Sequence, residues 1–228
     1  MIMKNLFFCL LFFVFSKLSG YQIDPLKIHE GDYIVYAYKE QLSLLIIAKN
    51  TEHTLTVEEL SLPKGKEVHW QEWISKNAPG HTSWTCTKID LVAKKILSIF
   101  DVDSGRELPH NSQIQLLPTL FKLTLEPIKP EERKYIGPQP QPGEVDVRKP
   151  WFPKVFFNGK EEHLAIESFR AYWPKDGSEL SGKPFDLYFA KEGVLSYLPY
   201  WIEMYGPISK VKIMAIDSGT DLSTKSCR

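Results

Sequence analysis

"GDYIVYAYKEQLSLLIIAKN", residues 31–50, decides the fold class. Its two runs, 33–39 and 42–49, are rich in β-branched and aromatic residues and read as strands with a polar break between them. In "LLII" the alternation fails because neighbouring positions are all apolar, so both faces of the strand carry greasy side chains. A sheet with one wet face would alternate cleanly; here both faces must be covered.

The same texture extends outward. Residues 54–62, "TLTVEELSL", form a third run, in which paired Glu58 and Glu59 break the alternation and suggest a bulge. "TSWTCTKIDL", "KKILSIFDV", "FKLTLEPI", "FDLYFAK", "LSYLPYWIEMY" and "SKVKIMAID" continue it. "VFFNGKEEH" places Asn158-Gly159 between extended runs, the signal of a two-residue hairpin, since both turn positions tolerate positive φ. Trp70, Trp73, Ile74 and Asn77 fall at helical spacing and predict a helix over 66–77, stopped by Pro79-Gly80. "NSQIQLLPTLF" reads as a second short helix with Ser112 as N-cap. The count is about ten to twelve strands and two helices. The expected class is mainly β: an antiparallel, strongly curved sheet or half-open β-barrel with one or two covering helices.

Residues 1–20 have the anatomy of a secretory signal peptide: Lys4, an apolar core from Leu6 to Phe15, and a small polar end at Gly20. No cysteine follows Gly20, so the lipobox of a lipoprotein is missing. The chain is expected to be exported, periplasmic or secreted, with residues 21–228 forming a single β-rich domain. Removing Lys4 and Lys17 leaves 26 basic against 28 acidic side chains, which argues against nucleic acid as a partner. The longest apolar run beyond the leader is "LLIIA", Leu44 to Ala48, too short for a membrane span. Seven of the sixteen prolines lie in 126–153, around "GPQPQPG". Tyr135, Ile136, Trp151 and Phe152 would anchor that segment as an ordered crossing, where a flexible linker would not need them.

Chemistry is marked mostly by what the motifs lack. "IFDVDSGRELP" (99–109) and "MAIDSGTDLS" (214–223) repeat an apolar-Asp-Ser-Gly pattern that a bilobed aspartic protease would use. Such an enzyme needs two carboxylates sharing a proton, each backed by a lobe, and only nine residues follow Gly219. Both motifs therefore read as turns, with Asp capping and Gly at positive φ. The six histidines show no metal spacing, and no nucleophile elbow, Walker loop or dinucleotide fingerprint occurs. No cofactor, metal site or catalytic residue is expected. Cys86 and Cys227 either pair as a disulfide in an oxidising compartment, or Cys227, the penultimate residue, stays a free thiol.

With these pieces assembled, the chain resembles the periplasmic lipoprotein carriers of the LolA/LolB type. The likeness rests on the leader, the early long strands, the pair "TCTKIDL…KKILSIFDV" and the closing "LPYWIEMYG…KVKIMAIDSG". It implies a carrier that holds an apolar ligand, and carriers of this kind often use an arginine inside the barrel. Arg170 in "ESFRAYW" is the only arginine inside a predicted strand. The aromatic-rich final third supplies the other candidate contacts: Phe169, Tyr188, Tyr200 and Trp201. The expected function is a non-catalytic binder of a lipid, acyl chain or lipidated peptide. The alternative is a structural or protein-interaction module without a small ligand, and a hydrolase of unfamiliar type stands third.

Overall fold

The structure is a computed structural model and describes residues 24, 27–65, 68–109, 116–177, 180–193, 195–205, 210–224 and 226–227. The leader and the expected N-cap at Ser112 lie outside the described residues.

The first half of the chain forms β1 (Tyr33–Tyr38), β2 (Gln41–Asn50), β3 (Thr54–Pro63), β4 (Ser83–Asp90), β5 (Lys95–Asp101) and β6 (Arg106–Leu108). Helix α1 (Trp70–Ser75) interrupts them after β3, and α2 (Leu116–Leu120) follows β6. Next come β7 (Glu126–Pro127), β8 (Tyr135–Ile136), β9 (Lys149–Pro150), β10 (Val155–Phe157) and β11 (Lys160–Glu162). The last elements are β12 (Ile166–Tyr172), β13 (Pro184–Ala190), β14 (Pro199–Tyr205) and β15 (Lys210–Gly219). Eleven strands form one sheet in the order β6-β5-β4-β3-β2-β1-β15-β14-β13-β12-β7. Every pairing in it is antiparallel. Its ends, β6 and β7, do not meet, so the curved sheet stays open and is not a closed barrel.

Both faces are covered, as the doubly apolar strands require. On the first face Ile34, Tyr36, Leu45, Ile47, Leu55 and Val57 join Phe169, Phe185, Leu187, Tyr200 and Ile202 in one core under α2 and residues 195–198. On the second face Tyr33, Val35, Leu42, Leu44, Ile46, Leu60 and Leu62 pack with Trp84, Leu222 and Ile74 of α1. Alternation along β1 and β2 sends neighbours such as Ile34 and Val35 into different cores. Among the described residues, no helix is long and apolar enough to cross a membrane.

Four local expectations differ from the structure. Helix α1 is shorter than 66–77: His69 at its N-cap makes no side-chain cap, and positive φ at Asn77 (61°) and Ala78 (46°) ends it. Glu58 and Glu59 form no bulge and pair regularly with Ile46 and Leu45. Glu59 accepts a hydrogen bond from Ser43 Oγ (2.6 Å), while Glu58 points to the other face. The bulge lies instead in β2, where Ala48 is left over between Ile47 and Lys49. "FKLTLEPI" contributes only the two residues of β7, because Pro127 and Pro130 lack amide donors to carry a ladder further.

The fourth difference concerns the second Asp-Ser-Gly. Asp103-Ser104-Gly105 is the expected turn, with Asp101 accepting from the Ser104 amide (2.6 Å) and Gly105 at φ 65°. Asp217-Ser218-Gly219 is not a turn and continues β15, opposite Val35, Ile34 and Tyr33 of β1. It serves as the seat of the β10–β11 hairpin, whose Asn158 and Gly159 take φ 49° and 75°. The Gly159 amide donates to Asp217 Oδ1 (2.9 Å), and Trp70 Nε1 of α1 donates to Oδ2 (2.9 Å). Ser218 Oγ donates to the Phe156 carbonyl (2.6 Å).

Gly219 is needed there for space: a Cβ would stand 2.6 Å from Tyr33 Cε1 and 2.7 Å from its hydroxyl, and would run into Asn158 Oδ1. Gly219→Ala is therefore expected to cost about 1–3 kcal/mol, the usual range for overpacking. A urea-denaturation midpoint equal to that of the parent would refute the close fit.

Candidate functional site

Strands β12, β13 and β14 alternate against two different environments. Their first face carries Phe169, Ala171, Phe185, Leu187, Phe189, Tyr200 and Ile202. The register sets Arg170 opposite Asp186, Asp186 opposite Glu203, and Tyr188 opposite Trp201, all on the second face. That half of the second face is covered by the Pro-rich crossing, hereafter the strap. It runs from β7 through a 3-10 turn (Pro130–Glu132) to the small β8–β9 ribbon and Trp151.

The strap is tied to the sheet by charges in pairs. Asp186 is 3% exposed and receives Arg170 through Nε to Oδ1 (2.8 Å) and Nη2 to Oδ2 (3.3 Å). The same guanidinium donates Nη1 to Glu132 of the strap (2.6 Å), and Tyr205 hydroxyl donates to Asp186 Oδ2 (3.0 Å). The hydrogen bond to Asp186 leads the upward shift of the Arg170 pKa, so the group is a permanent cation. Burial and the Asp186 charge push the Tyr205 hydroxyl up to about 12. Glu203, 1% exposed, is bonded by Lys134 of the strap and paired with Lys210 at 3.2 Å. Burial alone would raise the Glu203 carboxyl, but the hydrogen bonds and charges of the two lysines outweigh it and hold the group below its ordinary range.

Lys134 also sits in a cage of rings. Its ammonium lies 5.0 Å from the Trp151 centroid, 5.7 Å from Tyr188 and 5.9 Å from Trp201. The rings support one another edge-on, Trp151 at 5.1 Å from Trp201 and 5.6 Å from Tyr188. Aromatic faces within ~6 Å attract a cation by ~0.5–2 kcal/mol each, more when water is excluded. This arrangement recognises an ammonium group, and the protein fills it with its own lysine. Its chemistry is that of a latch.

The five residues expected to contact a ligand therefore do not share a site. Arg170, Tyr188 and Trp201 meet under the strap. Phe169 and Tyr200 lie on the opposite face in the core, 5% and 2% exposed; Phe169 meets Phe189 edge-on at 5.9 Å and the Tyr200 hydroxyl meets Ser218 Oγ at 3.3 Å. Lys134, Asp186 and Glu203 complete the latch and were not singled out in the sequence. Asp186 and Glu203 have one signal, a lone acid within an apolar strand, in "FDLYFA" and in "YWIEMY".

Elsewhere, Asp103 contacts His81 Nε2 (2.9 Å) in the β5–β6 turn, while Asp217 holds the hairpin and α1. The two carboxylates thus serve different local networks among the described residues. Cys86 and Cys227 are joined as a disulfide, with Cα atoms 5.7 Å apart. Glu58, fully buried, accepts from Trp84 Nε1 beside it, and the two sulfurs and a Glu58 oxygen lie within 4.8 Å of one another. A cleft of about 590 Å³ opens next to this group, at the β2 bulge, and Cys227 lines it.

Residues 43–163 match the CT021 protein family. A solved structure of the hypothetical protein CT021 from Chlamydia trachomatis superposes with a TM-score of 0.60 over 90% of this chain and 94% of that one, at 18% identity. At that identity the superposition speaks for the fold alone. No curated protein matches. The matches named are to CT021 proteins and not to carriers of the LolA/LolB type.

Proposed function

The chain belongs to the CT021 protein family, and from that premise we propose that it is an exported, non-catalytic protein-interaction module whose contact element is the tip of the strap. Export rests on the tripartite leader of residues 1–20. The observation that carries the rest is the exposure of Val145 (83%) and Val147 (87%) on a loop that is internally tied. Arg148 grips Asp146 through Nε (2.9 Å) and Nη2 (2.7 Å), its guanidinium lies 4.9 Å from the Tyr135 ring, and the Gln141 amide donates to Glu144 (2.9 Å). Below the tip, the latch fixes the base of the strap on the sheet. A pre-ordered element loses little conformational entropy on binding, which is the main gain of holding two valines out in water.

The carrier alternative requires Phe169 and Tyr200 to meet a ligand. Their burial in the first-face core moves the weight to the strap. A photoreactive amino acid placed at Val145 or Val147 tests the reading in the producing cell, with Val92, 75% exposed in the β4–β5 turn, as control. A discrete protein adduct from 145 and 147 and none from 92 is expected. No adduct, or the same adducts from all three positions, would overturn the proposal. Lipid extracted from the purified protein in stoichiometric amount would return the carrier to first place.

A further inference from the structure

We propose that the Cys86–Cys227 disulfide is a thiol–disulfide exchange site, at which a dithiol reductant attacks Cys227 from the cleft, Cys86 leaves, and Glu58 gives the leaving sulfur its proton.

The two sulfurs are unequal. Cys86 lies on β4, 8% exposed, directly across from Glu58 of β3 in the ladder. Cys227 is half-buried and lines the cleft at the β2 bulge together with Glu30, Lys49, Asp221 and Thr224. Attack needs a path to the sulfur, so the open Cys227 receives the incoming thiolate and the enclosed Cys86 departs. A new S–S bond forms between the reductant and Cys227 while the Cys86–Cys227 bond breaks, its electron pair staying on Cys86 Sγ. A buried thiolate is a poor leaving group in apolar surroundings. Glu58 removes that obstacle by transferring its carboxyl proton to Cys86 and becoming a carboxylate. The second thiolate of the reductant then attacks its own sulfur in the mixed disulfide. Cys227 is released and takes a proton from water in the cleft, and the reductant departs as an intramolecular disulfide. Glu58 then regains its proton from water, which has received the two protons the dithiol shed on ionising. Over the full exchange the protein gains two electrons and two protons, and the dithiol loses them.

Glu58 suits the role on geometry, being fully buried with an oxygen within 4.8 Å of both sulfurs. Its Oε2 lacks a partner of good geometry. Burial raises its pKa; the hydroxyls of Thr224 and Ser226 and the Trp84 N–H pull the other way and offset only part of that. Burial thus favours the protonated carboxyl, the form that can donate to a sulfur within its reach. Reduction would be local in its effect. Leu222 is held independently, 4% exposed with its amide on the Gly31 carbonyl (3.0 Å), while Cys227 loses its covalent hold on β4 and the tail segment that carries Thr224 and Ser226 is freed to uncover Glu58.

The test uses the oxidised full chain in native buffer at neutral pH. Dithiothreitol serves as the dithiol and glutathione as a monothiol that stops at the mixed disulfide, with alkylation and peptide mapping as the readout. Reduction first-order in thiol without denaturant, glutathione on Cys227 and alkylated Cys86 are the expected results. Glu58→Gln should slow the reaction at least about tenfold. Reduction only in denaturant, or glutathione found on Cys86, would overturn the site. Both are read on the parent protein, whatever Glu58→Gln does to folding. Equal rates for the parent and a folded Glu58→Gln would remove Glu58 as the proton donor.

Discussion

Arg170→Ala is expected to lower the unfolding free energy by about 3–5 kcal/mol, the range for removing one partner of a buried ion pair. The cost arises on the residue left behind. Asp186 is 3% exposed, and without the guanidinium its carboxylate keeps, among the described residues, only the Tyr205 hydroxyl at 3.0 Å. Lys154→Ala is the control. That lysine also pairs with a carboxylate, Glu161 at 2.8 Å, but is 69% exposed, and solvent-screened pairs contribute little. Arg170→Lys should recover only part of the loss, because a point charge cannot span both Asp186 oxygens and Glu132 at once. Adding Asp186→Asn to Arg170→Ala should restore much of it by removing the stranded charge. Urea midpoints for the four variants decide the matter, and an Arg170→Ala shift no larger than that of Lys154→Ala would mean the latch holds nothing. The same variant bears on function, since the guanidinium is also the link to Glu132 of the strap. Releasing it should weaken adduct formation from Val145 even where the sheet remains folded.

Local pattern carried the fold. In β1 and β2 the position of each residue along the strand settles which core it enters, because successive side chains alternate between two faces and both are apolar. Asn158-Gly159 was legible for a similar reason: the turn needs two positive φ values, and few residue pairs supply them. Asp217-Ser218-Gly219 misled because Asp-Ser-Gly suits a turn by itself. What places it in a strand is its pairing with Val35, Ile34 and Tyr33 of β1, far away in sequence, and Gly159 and Trp70 then bond the Asp217 carboxylate. The latch was illegible for the same cause. Lys134 meets Glu203 across 69 positions of chain, and nothing near Lys134 marks it as different from Lys129 or Lys154. Alternation also explains the split of the candidate residues. Phe169 and Arg170 are consecutive in β12 and so are Tyr200 and Trp201 in β14, and consecutive strand residues point to opposite faces. A ligand could not have been contacted by both members of either pair from one side of the sheet.

Tyr200→Ala is expected to cost about 3–5 kcal/mol, the range for deleting a large aromatic side chain from a packed interior. Tyr200 is the residue left over where β14 shifts register against β13, since Trp201 pairs with Tyr188 and Pro199 with Phe189. The bulge leaves its ring 2% exposed among the first-face residues. Truncation would leave a void bounded by two strands that cannot close independently, because each is held in register by the ladder on its far side. Tyr200→Phe separates the ring from its hydroxyl. Ser218 Oγ already donates to the Phe156 carbonyl, so the lost contact at 3.3 Å should cost no more than about 0.5–1.5 kcal/mol. The pair of variants therefore distinguishes the two functional readings. If the ring is core, Ala is severe, Phe is mild, and a fluorescent fatty-acid probe binds neither the parent nor Tyr200→Phe. If the ring instead borders a ligand site, Tyr200→Ala should leave the urea midpoint nearly unchanged while altering probe binding, and that result would displace the strap in favour of an apolar cargo.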